Sequence, residues 1–233
     1  KKEVLAHLQS KLYIRMARGA CVKEKGHISW YYSAKKTMST AFWDRYRTYL
    51  FKNMEFNGKV VDTMDASTDE IMDMLGNPIG IYNFQRRGLV IGDVQSGKTA
   101  TYAALLNKAS DAGYRVIILL TGTIEKLRRQ TQGRIDEGFI GLDSTAFNRD
   151  KDDVYVGVGN IDPSISAWAI TSTISDFNTG TASKLNGKLA NINRPVLFVL
   201  KKNKSVLEKL ERWLRIYNKS DVDQLPLLLV DDE

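Results

Sequence analysis

An α/β fold with a mostly parallel, doubly wound sheet, preceded by a helical N-terminal segment, is what this sequence predicts. Three observations carry that expectation. Gly92-Asp93-Val94-Gln95-Ser96-Gly97-Lys98-Thr99 satisfies G-x-x-x-x-G-K-[ST] in full, between one run that reads as a strand and another that reads as a helix. Downstream, strand-like and helix-like stretches alternate, as they do where helices cross over between parallel strands. Near the end, Leu225-Pro226-Leu227-Leu228-Leu229-Val230 is apolar without alternation, the pattern of a strand buried on both faces, and it runs into Asp231-Asp232-Glu233.

The first segment reads as helical. Leu5, Leu8, Leu12 and Ile14 fall on one side of a first helix, and Ser39 can cap a second that carries Phe42, Trp43, Tyr46, Tyr49 and Leu50. Ser67-Thr68-Asp69-Glu70 has the form of a capping box, with Ile71, Met72 and Leu75 after it and Gly76-Asn77-Pro78 as the stop. A soft boundary in residues 78–86 then separates a helical segment, 1–80, from an α/β domain, 81–233. Gly88-Leu89-Val90-Ile91 reads as the buried strand entering the glycine-framed loop, and Ala100 to Ala109 as the helix leaving it. Tyr114–Leu120 is a strand, and a helix follows from Ile124 through Ile135. Residues 141–165 are polar with a strand at Val154–Val158, and Ala167–Thr171 is another. Pro195–Leu200 is a stronger strand. Ser205-Val206-Leu207-Glu208 is a second capping box, opening a helix with Val206, Leu207, Leu210, Trp213, Leu214 and Tyr217 along one stripe.

The loop carries the first chemistry. A strand, a glycine-rich turn and a helix N-terminus present backbone N–H groups to phosphate, so Gly92, Asp93, Val94, Gln95, Ser96, Gly97, Lys98 and Thr99 form a candidate nucleotide cradle. Lys98 would reach the β- and γ-phosphates and the Thr99 hydroxyl would ligate magnesium. A carboxylate at the tip of a buried strand supplies the second magnesium contact, which assigns Asp232 to the metal, Glu233 to the attacking water and Asp231 to a supporting place. The implied cofactors are ATP and Mg2+. A glycine turn with a solvated lysine, and an acidic surface turn, are the plain alternatives.

Charge is unevenly placed. The net charge is +7, yet residues 1–60 hold 13 Lys/Arg against 4 Asp/Glu, or +9, which leaves −2 for the rest. That excess could meet nucleic acid phosphates or form a solvated surface facing an acidic partner. Trp30, Tyr31, Tyr32, Trp43, Tyr46 and Tyr49 are interleaved there at helical spacing, which favours core over base stacking. Cys21 is the single cysteine, so neither a disulfide nor a cysteine-based zinc site is available within the chain. No apolar stretch has the length of a membrane span and no secretory pattern opens the chain, so a cytoplasmic protein is expected. Because the sequence starts without methionine and stops on the residue assigned to water activation, these residues read as part of a longer protein.

The 92–99 run, Ala109-Ser110-Asp111-Ala112-Gly113-Tyr114-Arg115 and Leu127-Arg128-Arg129-Gln130-Thr131-Gln132 together resemble the Z-one domain ATPases. These are bacterial proteins similar to superfamily 2 helicases and associated with restriction or anti-phage systems. Lys201-Lys202-Asn203 and the acidic terminus look like the same family's later blocks, so the resemblance covers roughly residues 85–233. It implies a RecA-like P-loop ATPase, with Lys98 and Glu233 catalytic and nucleic acid, DNA foremost, as partner. Thr123, Arg128 and Gln130 would lie in a block that touches a nucleic acid backbone, and Lys201, Lys202 and Asn203 at a functional sheet edge. Gln130 and Gln132 could instead bridge neighbouring loops, and Lys201 to Asn203 could be a solvated turn. A second RecA-like domain with its arginine finger is not visible, so activity of these residues alone is not expected. Phe84 or Tyr82 with Gln85 is the only suggestion for holding the base. Nuclease chemistry would belong to another domain or a partner. Two further function classes remain: a nucleotide-gated assembly switch without translocation, and a P-loop kinase, against which the adjacent Asp-Glu argues.

Overall fold

The computed structural model describes residues 19–80, 84–91, 97–145, 153–183, 189, 192–217 and 225–232. The strands are β1 (Val116–Thr121), β2 (Trp168–Ala169), β3 (Val196–Lys201) and β4 (Leu227–Asp231). They form one sheet in the order β2-β3-β1-β4, and every pairing is parallel. Ile118 in β1 lies beside Phe198 of β3 on one side and Leu229 of β4 on the other. Parallel neighbours need long crossovers, and helices supply them here. The helices are α1 (Tyr31–Ala34), α2 (Ala41–Lys52), α3 (Gly58–Met74) and α4 (Lys98–Ala112) before the first described strand, and α5 (Glu125–Ile135), α6 (Thr179–Ser183) and α7 (Lys204–Tyr217) between the strands. A π-helical turn, Asp136–Ile140, continues α5.

Alternation along the strands divides the core in two. Ile117, Leu119, Leu197 and Val199 face a cluster with Tyr46, Met64, Ala103, Leu106 and Phe139. Val116, Ile118, Val196 and Phe198 face the opposite cluster with Leu210, where the Phe177 and Trp213 rings meet edge to face and each tilts against Phe198. The strands are therefore buried on both sides, as their unbroken apolar runs required. At β4 the cover thins: Leu228 is buried but Leu227 and Leu229 are exposed.

The described helices before residue 80 pack on the sheet-bearing part. Trp43, Tyr46, Tyr49, Val61 and Met64 belong to the same cluster as Ala104 and Ile117, so packing crosses the 78–86 boundary without a break. The aromatics interleaved with basic residues are mostly core: Tyr31, Trp43, Tyr46 and Tyr49 are buried. Polar contacts reinforce the junction. Lys108 of α4 is buried; its ammonium lies 2.5 Å from both Asp65 Oδ1 and Asp69 Oδ1 of α3 and 4.5 Å from the centre of the Trp43 ring. Lys35 pairs with the same two carboxylates. Asp111, three residues beyond Lys108 in α4, accepts the backbone N–H groups of Phe42 and Trp43 at 2.9 Å each and so caps α2. Asp73 accepts from the Ser29 hydroxyl and the N–H groups of Trp30 and Tyr31, with His27 beside it. Burial acts to raise its pKa, but these contacts outweigh burial and hold the carboxyl far below the usual range.

Several expected elements differ. Gly88–Ile91 is not a strand; Leu89, Val90 and Ile91 are exposed, and no described strand takes up their backbone groups. An apolar run becomes a strand only where a neighbour pairs with it. Ser67–Glu70 lies inside α3, whose cap is Asn57, accepting from the Val60 N–H at 2.9 Å. A capping-box pattern inside a good helical stretch simply continues the helix. Thr40 precedes α2, and Ser39 offers Ala41 only a long 3.4 Å contact because Asp111 does the capping. Val154–Val158 yields one antiparallel bridge, Tyr155 to Leu142, and a 3-10 turn at Gly157–Asn160. The strand expected over Ala167–Thr171 shortens to β2. The first helix, with Leu5 to Ile14, lies outside the described residues.

Two stability predictions follow from these buried charges. Lys108→Met removes a buried cation and leaves two carboxylates with Lys35 alone, so urea unfolding should show a loss of about 3 kcal/mol. Adding Asp69→Asn to that variant should restore part of the loss, because a stranded charge disappears. Burial pushes the Asp111 carboxyl to about 7 despite the Trp43 and Phe42 N–H groups, and the Asp136 carboxyl to about 7 despite Ser144 and Gln132. Both folded values exceed the unfolded value of 3.8, so the folded state holds more protons between these limits. The stability they contribute is complete below about pH 4 and is lost as pH rises to about 7. Asp111→Asn should flatten the slope of unfolding free energy between pH 4 and 7 by up to about 1.4 kcal/mol per pH unit. An unchanged slope in urea melts across that range would remove Asp111 as a titrating group.

Candidate functional site

The site gathers at the N-terminus of α4. Gly97 precedes the helix in the left-handed region, φ 79° and ψ 27°, which suits glycine. Lys98 is the first helical residue and is exposed. The first helical N–H groups lack acceptors within the helix, as at any such terminus, and are available to an anion. Gly92, Asp93, Val94, Gln95 and Ser96 lie outside the described residues, as does Glu233.

Thr99 and Asp232, assigned to the same metal, come to the same neighbourhood. The tip of β4 is fixed by the Asp232 N–H, which donates to Leu120 O of β1 at 3.0 Å. Tyr102, one turn after Thr99, is within reach of both groups. Burial raises its pKa, the Thr99 hydroxyl lowers it, the Asp232 charge raises it, and Thr131 and Arg134 lower it. The Tyr102 side chain is buried, and its hydroxyl has no well-aligned hydrogen-bond partner. Arg134 Nη1 donates to Thr99 Oγ1 at 3.2 Å. A hydroxyl and a carboxylate are hard oxygen donors of the kind that magnesium takes, so Thr99 and Asp232 are the residues that would hold it. Tyr102, Thr131 and Arg134 were missed in the sequence. The signal was there as spacing, since Thr99 and Tyr102, like Thr131 and Arg134, stand three apart on a helix and share a face.

Behind this cluster lies a buried polar chain. The Val199 N–H donates to Thr171 Oγ1, whose hydroxyl donates to Gln132 Oε1; Gln132 Nε2 donates to Asp136 Oδ1; Ser144 donates to Asp136 Oδ2 through N–H and hydroxyl. Gln132 therefore bridges β3, α5 and the π turn. That turn is itself braced, with Phe139 O accepting from buried Arg45 Nη2 at 2.6 Å and Gly138 O from Asn107 Nδ2 at 3.0 Å. The result is a rigid seat for the last turn of α5, which carries Thr131 and Arg134.

The residues expected to touch nucleic acid separate into two groups. Thr123 and Gln130 are exposed. Arg128 corrects its expectation: it is fully buried, and its guanidinium is spent on Glu125 Oε1 and on Ser172 O at 2.8 Å. Lys201 and Lys202 do sit at the C-terminal end of β3, but Lys201 pairs with Glu125 at 2.9 Å and Lys202 with Asp231 at 2.6 Å. Burial acts to raise the Glu125 pKa, yet Arg128, Lys201 and Arg129 pull it down to about 2, so it is firmly ionised. Asn203 has a structural role: its Oδ1 accepts the Ser205 N–H at 3.0 Å at the start of α7, so the cap is Asn203 and not Ser205. In the basic N-terminal stretch, Arg45 is buried against the carbonyls of Phe139 and Ile165, and Arg47 lies 3.7 Å from Asp62.

Phe84 packs edge-on against Tyr114, while Gln85 lines an open cleft of about 440 Å³ with Glu24, Arg86 and Arg87. Tyr82 lies outside the described residues. Among the described residues no three His, Cys, Asp or Glu side chains gather as a metal cluster, and no helix is long and apolar enough to cross a membrane. No protein-family model, curated protein or solved structure matches this chain.

Proposed function

We propose that this protein binds ATP with magnesium and hydrolyses it, as a RecA-like P-loop ATPase domain of a helicase-like motor acting on nucleic acid, DNA foremost. One observation carries the reading. Thr99, just inside a helix entered through left-handed Gly97, and Asp232, at the end of a parallel strand, both bear on the buried hydroxyl of Tyr102. Helix N-terminus, lysine, hydroxyl and carboxylate are together what a metal–triphosphate needs. The N–H groups and Lys98 neutralise phosphate, Thr99 and Asp232 orient the metal, and Glu233 would polarise the attacking water. The metal supplies charge stabilisation at the transferred phosphoryl group. The sequence resemblance supports a setting in bacterial restriction or anti-phage defence, with nuclease chemistry in a partner.

The nucleotide-gated switch has its own support. Arg128, Lys201 and Lys202 are engaged with carboxylates or carbonyls of this chain, which leaves fewer cations for a nucleic acid backbone than the sequence suggested. Stimulation of ATP turnover by single-stranded DNA separates the readings: an increase supports the motor, and its absence supports the switch.

Calorimetry tests the nucleotide site. Lys98→Ala should weaken ATP binding more than about tenfold with Mg2+ and with EDTA alike, since a charge-assisted contact to phosphate disappears. Asp232→Asn should weaken binding only when Mg2+ is present. Equal losses in both conditions for Asp232→Asn would remove it from the metal.

A further inference from the structure

Arg134 is a cation that the motif does not contain, placed on the hydroxyl that the motif reserves for magnesium. Its Nη1 donates to Thr99 Oγ1 at 3.2 Å. It is exposed, at the last turn of α5, on a seat braced by Gln132, Asp136 and Asn107. The second observation is Tyr102, 8% exposed, whose hydroxyl lies near those of Thr99 and Thr131 without a well-aligned hydrogen bond and within reach of the charges of Asp232 and Arg134. A buried hydroxyl without a well-aligned partner beside a helix N-terminus calls for an explanation, and a ligand supplies one.

We propose that Arg134 is a positioning residue that stands in for the metal: it holds the Thr99 hydroxyl while the site is metal-free, and it turns to phosphate when a metal–triphosphate enters. This rests on the nucleotide reading above. The argument is electrostatic. A Thr99 oxygen that bound both groups would bring guanidinium and magnesium within about 5 Å of each other, where two cations in a partly desolvated site repel strongly. Phosphate oxygens remove the conflict, because a guanidinium pairs with them through a fork of N–H donors. Arg134 consequently disfavours bare metal and favours bare triphosphate. Lys98 acts on the phosphates in either condition; Arg134 matters most when metal is absent.

The test compares wild type, Arg134→Ala and Arg134→Lys in two measurements. ATP affinity by calorimetry in EDTA should fall about tenfold in Arg134→Ala, and in excess Mg2+ by less than about threefold. Arg134→Lys, which restores charge without the fork, should recover part of the metal-free affinity. Mn2+ titrated alone and followed by electron paramagnetic resonance should bind several-fold more tightly to Arg134→Ala than to wild type. Loss by the same factor with and without Mg2+, or no loss in EDTA, overturns the proposal, as does unchanged Mn2+ affinity. Wild type that binds ATP in neither condition overturns the nucleotide reading itself, a failure distinct from any confined to the Arg134 variants.

Discussion

The ammonium of Lys108 sets the position of α4, and much else depends on where α4 lies. A lysine does not enter a core without partners, and here the partners sit one turn apart on α3, with an aromatic face beneath. That arrangement fixes the rotation of α4 about its own axis. The same helix ties down α2 through Asp111 and the π turn through Asn107. Any turn of α4 that eased one of these contacts would strand a charge or a buried amide elsewhere. Its N-terminus is therefore presented from a helix with little freedom, as a site that stabilises charge requires.

Three elements converge there from different parts of the chain. β4 brings Asp232, α5 brings Thr131 and Arg134, and α4 brings Lys98, Thr99 and Tyr102. The parallel pairing of β4 beside β1 places its tip at the C-terminal edge of the sheet, where such folds leave room for ligands. The buried chain from Thr171 to Ser144 keeps α5 at a fixed distance from β3. Its hydrogen bonds are complete, so it adds rigidity without leaving a polar group stranded.

Much of the fold was legible, since the signals for β1, β3, β4, α4 and α7 are local: unbroken apolar runs for the strands, and for α7 an apolar stripe ending at Leu210 and Trp213. What could not be read was long-range pairing. The sequence displays the charges of Lys201 and Arg128 but not that Glu125 lies between them. Nor does it show that Asp111, sixty-nine positions from Phe42, replaces the cap that Ser39 promised. The Gly-Lys-Thr end of the loop was plain from the motif, and spacing put Tyr102 on the Thr99 face, but that α5 brings Arg134 to the same hydroxyl is a long-range fact. Gly88–Ile91 misled because hydrophobicity marks a segment that wants a neighbour, without supplying one.

That segment and β4 raise a question of colloidal behaviour. Leu227 and Leu229 are exposed on β4, the last strand of the described sheet, and Leu89, Val90 and Ile91 are exposed in an extended stretch. No described strand pairs with the outer side of β4, and such an edge flanked by leucine is a template for intermolecular strand addition. Left uncovered at high concentration, an edge of that kind is a route to edge-to-edge self-association. A surface chosen for crystallisation or labelling would do best on the charged outer face of α7, away from that edge.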